Sequence, residues 1–179
     1  MLVTGAKGMV GSYVPRVFAE HELLATDIDT LDVCSPDAVE AAFKEFKPEL
    51  LLHLAAATDV DRSQREPDWA FRSNAAATED LASACARHGT LMVYTSTGAV
   101  FKGDRPGPYA ESDPTSPSNV YAASKLAGEE AVRGLLKRYF IVRAGWIFGG
   151  VGADKKFVGK IAAQIASGKT ELMAVDDKH

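Results

Sequence analysis

The sequence predicts a doubly wound, mostly parallel α/β sheet of the Rossmann type, and two observations carry that prediction. Short apolar runs alternate with helical patterns along the chain, as they do where helices connect parallel strands. The first apolar run, Met1–Thr4, leads directly into the glycine-rich turn Gly5–Gly11. A strand followed by such a turn is the usual start of a dinucleotide-binding βαβ unit.

The remaining elements follow that turn in strict alternation. Ser35 is a good N-cap with Pro36 at the first helical position, and this helix ends at Lys47-Pro48. Uninterrupted apolar runs indicate strands that are buried on both faces of a sheet. The later predicted strands are 23–26, 50–55, 91–97, 140–143 and 171–175, and the later predicted helices are 68–87, closed by Gly89 as C-cap, 120–137 and 157–166.

Glycines at every third position shape the first turn. Gly5 permits a sharp turn, Gly8 a close approach to a pyrophosphate, and Gly11 tight packing of the following helix. The phosphates would then meet the N-terminus of that helix. Asp27 follows about 20 residues later, where a ribose-binding carboxylate belongs. A solvated turn residue is the alternative interpretation of Asp27.

Tyr121 and Lys125 place a phenol and an ammonium one turn apart on one face of a predicted helix. A lysine cation at that distance favours the phenolate and lowers the tyrosine pKa, which suits proton transfer. A tyrosine and a lysine at this spacing are common on solvated helices, so the functional interpretation of the pair depends on the other motifs of the chain. The carboxyl ends of parallel strands lie at one edge of the sheet. We therefore expect one crevice there to be lined by Gly5, Asp27, Ala55, Thr97 and Arg143.

Composition sets the remaining bounds. The chain of 179 residues is 46% hydrophobic and 25% charged, as expected of one globular domain. A net charge of −4 and a pI near 5.6 argue against a nucleic-acid-binding surface. No apolar run approaches membrane-spanning length and no basic leader precedes one, so we expect a cytoplasmic protein. Cys34 and Cys85 lack metal-ligand spacing, and no metal site is predicted.

With these residues in place, the chain resembles the extended short-chain dehydrogenase/reductase family, and within it the reductases of nucleotide sugars. The resemblance runs over essentially all 179 residues. The short passage from Asp27 to Asp32-Val33, without room for a crossover helix, resembles the reductase branch rather than the epimerases. The residues that carry the resemblance are 5–11, 53–58 with 60–61, Asn74, 96–97 with 100–101, 117–129 and 143–149.

The resemblance implies a nicotinamide cofactor, NADPH or NADH. Asp32 and Val33 would flank its adenine. Asp27 favours the free 2'-hydroxyl of NADH, while Lys7 offsets the repulsion of a 2'-phosphate, so we expect both cofactors to be used. The implied cofactor-binding residues are Gly5, Lys7, Gly8, Met9, Val10, Gly11, Asp27, Asp32, Val33, Ala55, Ala56, Ala57, Asn74, Tyr121 and Lys125.

The resemblance also implies reduction of the C4 ketone of a nucleotide-linked deoxysugar. Tyr121 would protonate the developing alkoxide, Thr97 would hydrogen-bond it, and Lys125 would hold the ribose and lower the tyrosine pKa. The implied substrate contacts are Thr58, Val60, Thr97 and Trp146, although Trp146 can also be interpreted as a buried structural residue. Residues 96–101 lack an acid and an aromatic that many of these reductases carry there, so the sugar stays open.

Two other functions remain open. A sugar-nucleotide epimerase or dehydratase would share the Tyr-Lys chemistry but retain its cofactor through a cycle. A regulatory subunit is the non-catalytic alternative, because some members that resemble this branch are partners of a methionine adenosyltransferase.

We expect residues 1–150 to form the dinucleotide-binding domain and residues 151–179 to begin a smaller substrate lobe that is largely absent. Such a chain would bind NAD(P)H, reduce no nucleotide sugar at an appreciable rate, and expose apolar surface where the lobe would pack. The predicted helices 68–87 and 120–137 are candidates for the contact of a homodimer.

Overall fold

Parallel strands form one sheet in the part of the chain that the computed structural model describes, residues 1–149 and 157–172. The strands are β1 (Leu2–Thr4), β2 (Leu24–Thr26), β3 (Leu50–His53), β4 (Leu91–Thr97) and β5 (Tyr139–Ala144). Their spatial order is β2-β1-β3-β4-β5, and each neighbouring pair is parallel. The predicted fold class, a Rossmann-like α/β sheet, is confirmed.

Helices connect these strands. They are α1 (Val14–Val17), α2 (Pro36–Phe46), α3 (Val60–Arg65), α4 (Pro67–Phe71), α5 (Ala77–His88), α6 (Val120–Leu135) and α7 (Phe157–Ala166). A 3₁₀ turn, Gly11–Tyr13, precedes α1, and another, Gly98–Val100, follows β4. The described helices are too short or too polar to cross a membrane.

The winding of the sheet reverses at β1. From β1 the chain moves outward to β2 and then crosses back to β3 on the other side of β1. Ligands of doubly wound folds bind outside the carboxyl ends of the strands at such a switch point. The segments that follow β1 and β3, which begin at Gly5 and Leu54, therefore flank the expected crevice.

The helix predicted over 68–87 is interrupted, which corrects the prediction. It begins as α4 behind Pro67, widens into a π-helical turn over Arg72–Ala76 and continues as α5. A π turn holds an extra residue and is frequent at functional sites. Here it contains Asn74, whose side chain is fully buried.

Other element ends differ from the prediction by a few residues. β3 ends at His53 rather than at residue 55, because the chain there turns into a loop held from the π turn. α6 ends at Leu135, since Leu136 is already extended. Of the strand predicted over 171–175, residues 171–172 have no regular structure and the rest lie outside the described residues.

The predicted helix caps are confirmed. The Ser35 side chain accepts a hydrogen bond from the Ala38 amide at 3.4 Å, and Gly89 closes α5 with a φ of 69°. Both signals are local, which is why the sequence was sufficient to predict them.

One face of the sheet is packed against α2, α5 and α6. Phe43, Leu51, Leu81, Met92 and Val132 are at most 1% exposed there. Removal of this apolar surface from water is the main stabilising contribution to the fold. It fixes α6, the helix that carries Tyr121 and Lys125, against β4.

The other face of β5 is open. Phe140 and Val142 are 61% and 48% exposed, whereas the alternating Tyr139 and Ile141 pack against the core. Beyond the strand, Trp146 is 72% exposed. An apolar patch of this kind usually marks an interaction surface.

Candidate active site

The glycine turn fits against the loop that follows β3. Gly5 has a φ of 74°, and a Cβ at this position would lie 2.6 Å from the Ala55 amide nitrogen. A Cβ on Gly11 would overlap the Gly5 carbonyl oxygen, and a Cβ on Gly8 would lie 3.1 Å from that same oxygen. Only glycine fits at Gly5 and Gly11, so backbone rather than side chains lines this part of the crevice.

Asp27 is tied to the glycine turn. One of its carboxylate oxygens accepts a hydrogen bond from the Lys7 amide at 2.8 Å, and the other accepts from the Ile28 amide at 2.9 Å. The Lys7 ammonium pairs with Asp29 instead, and that pair is exposed. Asp27 and Lys7 thus lie together, as the sequence predicted, and Asp29 is a third charge that it did not.

Asp32 and Val33 follow this charged cluster. Asp32 caps its own turn by accepting from the Cys34 amide at 2.9 Å. The Val33 side chain is buried in the core. A contact of Val33 with an adenine would therefore involve its backbone. Met9 and Val10 are partly exposed on the outer side of the glycine turn.

Asn74 is a clamp on the loop that follows β3, and its contact with a cofactor stays a prediction. Its side chain is 0% exposed, accepts from the Ala57 amide at 2.8 Å, and donates to the Ala57 carbonyl at 3.0 Å and to the Ser124 hydroxyl at 2.9 Å. Both amide hydrogens of Asn74 and its carbonyl oxygen are thereby hydrogen-bonded. It holds the loop after β3, with Ala55, Ala56 and Ala57, against α6.

The structure brings Thr97 and Tyr121 together. Burial raises the pKa of Tyr121, and a hydrogen bond with the Thr97 side chain opposes that rise. The Asn119 side chain begins α6 by accepting from the Ala122 amide at 2.8 Å, so Tyr121 lies in the first helical turn. At neutral pH this phenol keeps its proton and is available as an acid.

Lys125 lies one turn further on and is 2% exposed. Its ammonium lies over the Tyr94 ring, 4.2 Å from the centroid. Burial lowers the pKa of Lys125 to about 7, and the Glu129 carboxylate opposes that change. The expected lowering of the Tyr121 pKa by Lys125 is not found in this structure, because burial dominates at the phenol.

His53 belongs to a buried polar chain beneath this site. Its Nδ1 lies 2.7 Å from the Thr4 hydroxyl and its Nε2 lies 3.1 Å from the Thr78 hydroxyl. The Thr78 hydroxyl already donates to the Asn74 carbonyl at 2.8 Å. Burial lowers the pKa of His53 to about 3, so the ring is neutral, and the tautomer that satisfies both contacts carries its proton on Nε2.

Acidic pH should lower the free energy of unfolding of this protein because His53 is buried. Burial lowers the pKa of His53 to about 3, from 6.5. Between those values the unfolded chain binds the extra proton, so the free energy of unfolding falls with decreasing pH by up to about 1.4 kcal/mol per unit. Urea unfolding at pH 7, 6, 5 and 4 measures this slope. His53→Gln should flatten it, and the same replacement at the exposed His21 controls for the loss of one histidine; an unchanged slope in His53→Gln would contradict the assignment.

Besides Thr97, the residues predicted to contact the substrate lie in two separate segments, one after β3 and one after β5. Thr58 and Val60 are exposed just beyond the loop held by Asn74, at the start of α3. Trp146 follows β5 with a φ of 53° and is 72% exposed. The Trp146 side chain is therefore not buried by the part of the chain that the structure describes.

Sequence reasoning placed Arg143 at the crevice but missed Glu129, the carboxylate that it binds. Glu129 is 0% exposed, and Arg143 donates to it from Nε at 2.9 Å and from Nη2 at 2.7 Å. Glu129 lies one helical turn after Lys125, a spacing that the sequence shows, but nothing in the sequence pairs it with Arg143 on β5.

The fold and the site together define a dinucleotide-binding type of α/β domain with a Thr, Tyr and Lys set beside its switch point. A family model described as the RmlD substrate binding domain matches residues 1–179. The chain belongs to that family.

Several relatives of this chain are named dTDP-4-dehydrorhamnose reductase. It is 35% identical over 184 residues to the dTDP-4-dehydrorhamnose reductase of Mycobacterium tuberculosis, an alignment that covers 99% of this chain and 59% of the relative. It is similar to the dTDP-4-dehydrorhamnose reductase of Bacillus anthracis in complex with NADP, with a TM-score of 0.88, 34% identity and coverage of 96% and 61% of the two chains. For the reductase of Yersinia enterocolitica the TM-score is 0.86 at 40% identity, with coverage of 94% and 60%. The chain thus spans about 60% of the length of these proteins.

Proposed function

We propose that this chain carries the cofactor site and the proton donor of an NAD(P)H-dependent reductase that acts on the C4 ketone of a dTDP-linked deoxysugar. The observation that carries the proposal is the contact of Thr97 with Tyr121, one turn before Lys125, beside the crevice lined by the glycine turn. The names of the relatives supply the substrate class.

The crevice fits a nicotinamide dinucleotide. Gly5, Gly8 and Gly11 leave a backbone cradle that any Cβ would fill or crowd. Such a cradle suits a pyrophosphate, and Asp27 stands where it can meet the adenosine ribose. The bound cofactor would supply a hydride to the ketone carbon.

The protein's own part in the reaction is proton transfer and orientation. As the ketone oxygen gains negative charge, Tyr121 donates its phenolic proton to it, and the Thr97 hydroxyl stabilises the same oxygen by hydrogen bonding. Thr97 is held for this role at the end of β4, where its oxygen also accepts from the Ala99 amide at 3.2 Å. Lys125, with a pKa of about 7, would place a positive charge near the phenolate when it is protonated, and that charge would favour the phenolate.

Choice of cofactor should depend on Lys7 and Asp29. The Lys7 backbone amide bonds to Asp27, and the Lys7 ammonium is neutralised by Asp29, so we expect NADPH and NADH to bind with comparable affinity. Asp29→Asn should free the ammonium and tighten NADPH by about tenfold, near 1.4 kcal/mol, with NADH unchanged. Fluorescence titration of both cofactors measures this. Lys7→Ala removes the ammonium and should weaken the binding of NADPH but not of NADH. If the dissociation constants of the two cofactors change equally in both variants, the proposed contact with the 2'-phosphate is wrong.

The function itself is tested by following NADPH oxidation at 340 nm with a dTDP-4-keto-6-deoxysugar. Because the matched relatives are longer, turnover is to be measured on a version extended to their length, beside the 179-residue chain. Stoichiometric loss of NADPH supports the reductase. Conversion of the sugar without net oxidation of cofactor would favour the epimerase, and tight cofactor binding without either would favour the regulatory subunit.

Location and assembly are part of the proposal. A cytoplasmic reductase accords with the free thiols of Cys34 and Cys85, since reducing compartments preserve thiols. A homodimer through α4, α5 and α6 is the proposed assembly, and sedimentation of the chain at several concentrations would test it.

A further inference from the structure

The segment between Thr97 and α6, residues 98–119, is a folded loop with a stack of side chains at its centre. The rings of Phe101 and Tyr109 stack with centroids 4.5 Å apart and planes inclined by 15°. The Arg105 guanidinium lies over Tyr109 at 4.2 Å, and the Arg143 guanidinium lies over Phe101 at 4.8 Å. These four side chains, which we call the loop stack, form one cluster in which two stacked aromatic rings are flanked by two guanidinium groups.

The outer end of the loop stack is closed within the loop. Arg105 pairs with Asp113 and donates to the Pro108 carbonyl at 2.9 Å. Asp113 also accepts from the Ala110 amide at 2.7 Å. The loop therefore holds its own fold at this end without help from the sheet.

The inner end of the loop stack is fixed to the body of the protein. Arg143 comes from β5 and makes two hydrogen bonds, at 2.9 and 2.7 Å, to the buried carboxylate of Glu129 on α6. Its remaining terminal nitrogen donates to the Glu111 carbonyl of the loop at 3.1 Å. One guanidinium thus joins β5, α6 and the loop.

The need for a positive charge beside Glu129 does not by itself explain why an arginine is present at position 143. Arg133 already donates to the same carboxylate at 2.7 Å, from the same helix and from a more exposed position. Only Arg143 reaches a loop carbonyl and a loop ring as well. A planar guanidinium can make paired hydrogen bonds and stack at once, which an ammonium cannot.

Both ends of the loop adjoin the proposed site. It begins directly after Thr97 and ends at Asn119, the cap of the helical turn that contains Tyr121. Its conformation therefore sets the space beside the two residues proposed to contact the ketone oxygen. The cofactor cradle, by contrast, is built from β1 and β3 and has no residue in this loop.

We propose that Arg143 is a positioning residue, which holds the loop 98–119 through the loop stack as a fixed wall of the sugar-binding side of the site. The inference rests on the proposed function. It assigns to Arg143 no contact with sugar or cofactor.

The rate of cleavage by trypsin measures how well ordered this loop is, and the assay does not depend on enzymatic activity. Lys102-Gly103 is the only bond in residues 98–119 that trypsin cleaves readily, because the bond after Arg105 precedes a proline. Cleavage there tracks the population of the open loop. Arg143→Lys, which keeps the charge, and Tyr109→Leu, which leaves the Glu129 pair intact, should both speed the appearance of fragments 1–102 and 103–179 by about tenfold. Arg133→Ala is the matched control and should cleave at the wild-type rate.

Kinetics of the extended reductase then separate positioning from general damage. In Arg143→Lys and Tyr109→Leu the KM for the sugar nucleotide should rise by about tenfold while the dissociation constant of NADPH stays within about twofold. Wild-type cleavage and KM in both variants would overturn the proposal, and so would a parallel loss of NADPH affinity and thermal stability. If the wild-type enzyme reduces no ketosugar, the proposed function fails, and the cleavage assay still decides whether Arg143 orders the loop.

Discussion

Tyr121→Phe is expected to abolish ketone reduction while NADPH binding stays within about twofold of the wild type. The phenol supplies the proton that neutralises the alkoxide, and loss of a positioned acid costs roughly 10²- to 10⁴-fold in rate. The hydroxyl is half-buried and already hydrogen-bonded to Thr97, so its removal changes little of the space available to a dinucleotide. Turnover is measured at 340 nm on the extended version, and binding is measured by fluorescence on the 179-residue chain.

The control for this substitution is Tyr139→Phe. Tyr139 begins β5, at the amino end of that strand, whereas the proposed site lies at the carboxyl ends. The same loss of a hydroxyl should there leave turnover unchanged. Turnover at the wild-type level in Tyr121→Phe would remove this tyrosine as the proton donor.

Gly128→Ala is expected to destabilise the protein, against the usual trend for helices. Alanine normally stabilises a helix interior by about 1 kcal/mol relative to glycine. At Gly128, however, a Cβ would lie 2.5 Å from the Asn74 carbonyl oxygen and would overlap the Tyr94 hydroxyl. Backbone atoms cannot rotate away, so α6 would have to move from β4 and the π turn. Overpacking of this kind costs about 1–3 kcal/mol, measured by urea unfolding.

Gly134→Ala is the matched control within the same helix. A Cβ there has no neighbouring atom within 4 Å. This variant should gain roughly 0.5–1 kcal/mol, so the two substitutions change the unfolding midpoint in opposite directions. Stabilisation by both would show that α6 is free to shift, and the contact between α6 and the π turn would then not fix the site.

The parts of the fold that the sequence predicted are those encoded locally. The caps at Ser35 and Gly89 depend on residues within one turn of the chain. The Rossmann-like sheet followed from the alternation of apolar runs, because parallel strands are buried on both faces. Tyr121 and Lys125 could be proposed because their spacing places them on one face of a helix.

The parts that were missed depend on contacts between distant residues. The helix over 68–87 reads as continuous, and only the bonds of Asn74 to Ala57 and Ser124 show why it widens there. Sequence spacing likewise placed Arg143 at the crevice but did not show that it pairs with Glu129. The sequence predicted that Lys125 lowers the pKa of Tyr121, whereas burial raises that pKa.

The clamp made by Asn74 has a consequence for how this protein folds. Ala57 in the cofactor loop is held by a side chain that also bonds to Ser124, 50 residues further along the chain than Asn74. The nucleotide crevice therefore cannot reach its final shape on a nascent chain until α6 has been synthesised and has docked. Pairing of such distant segments makes folding slow and cooperative. A fragment that ends before α6 should fail to bind NADPH even though it contains every glycine of the cradle.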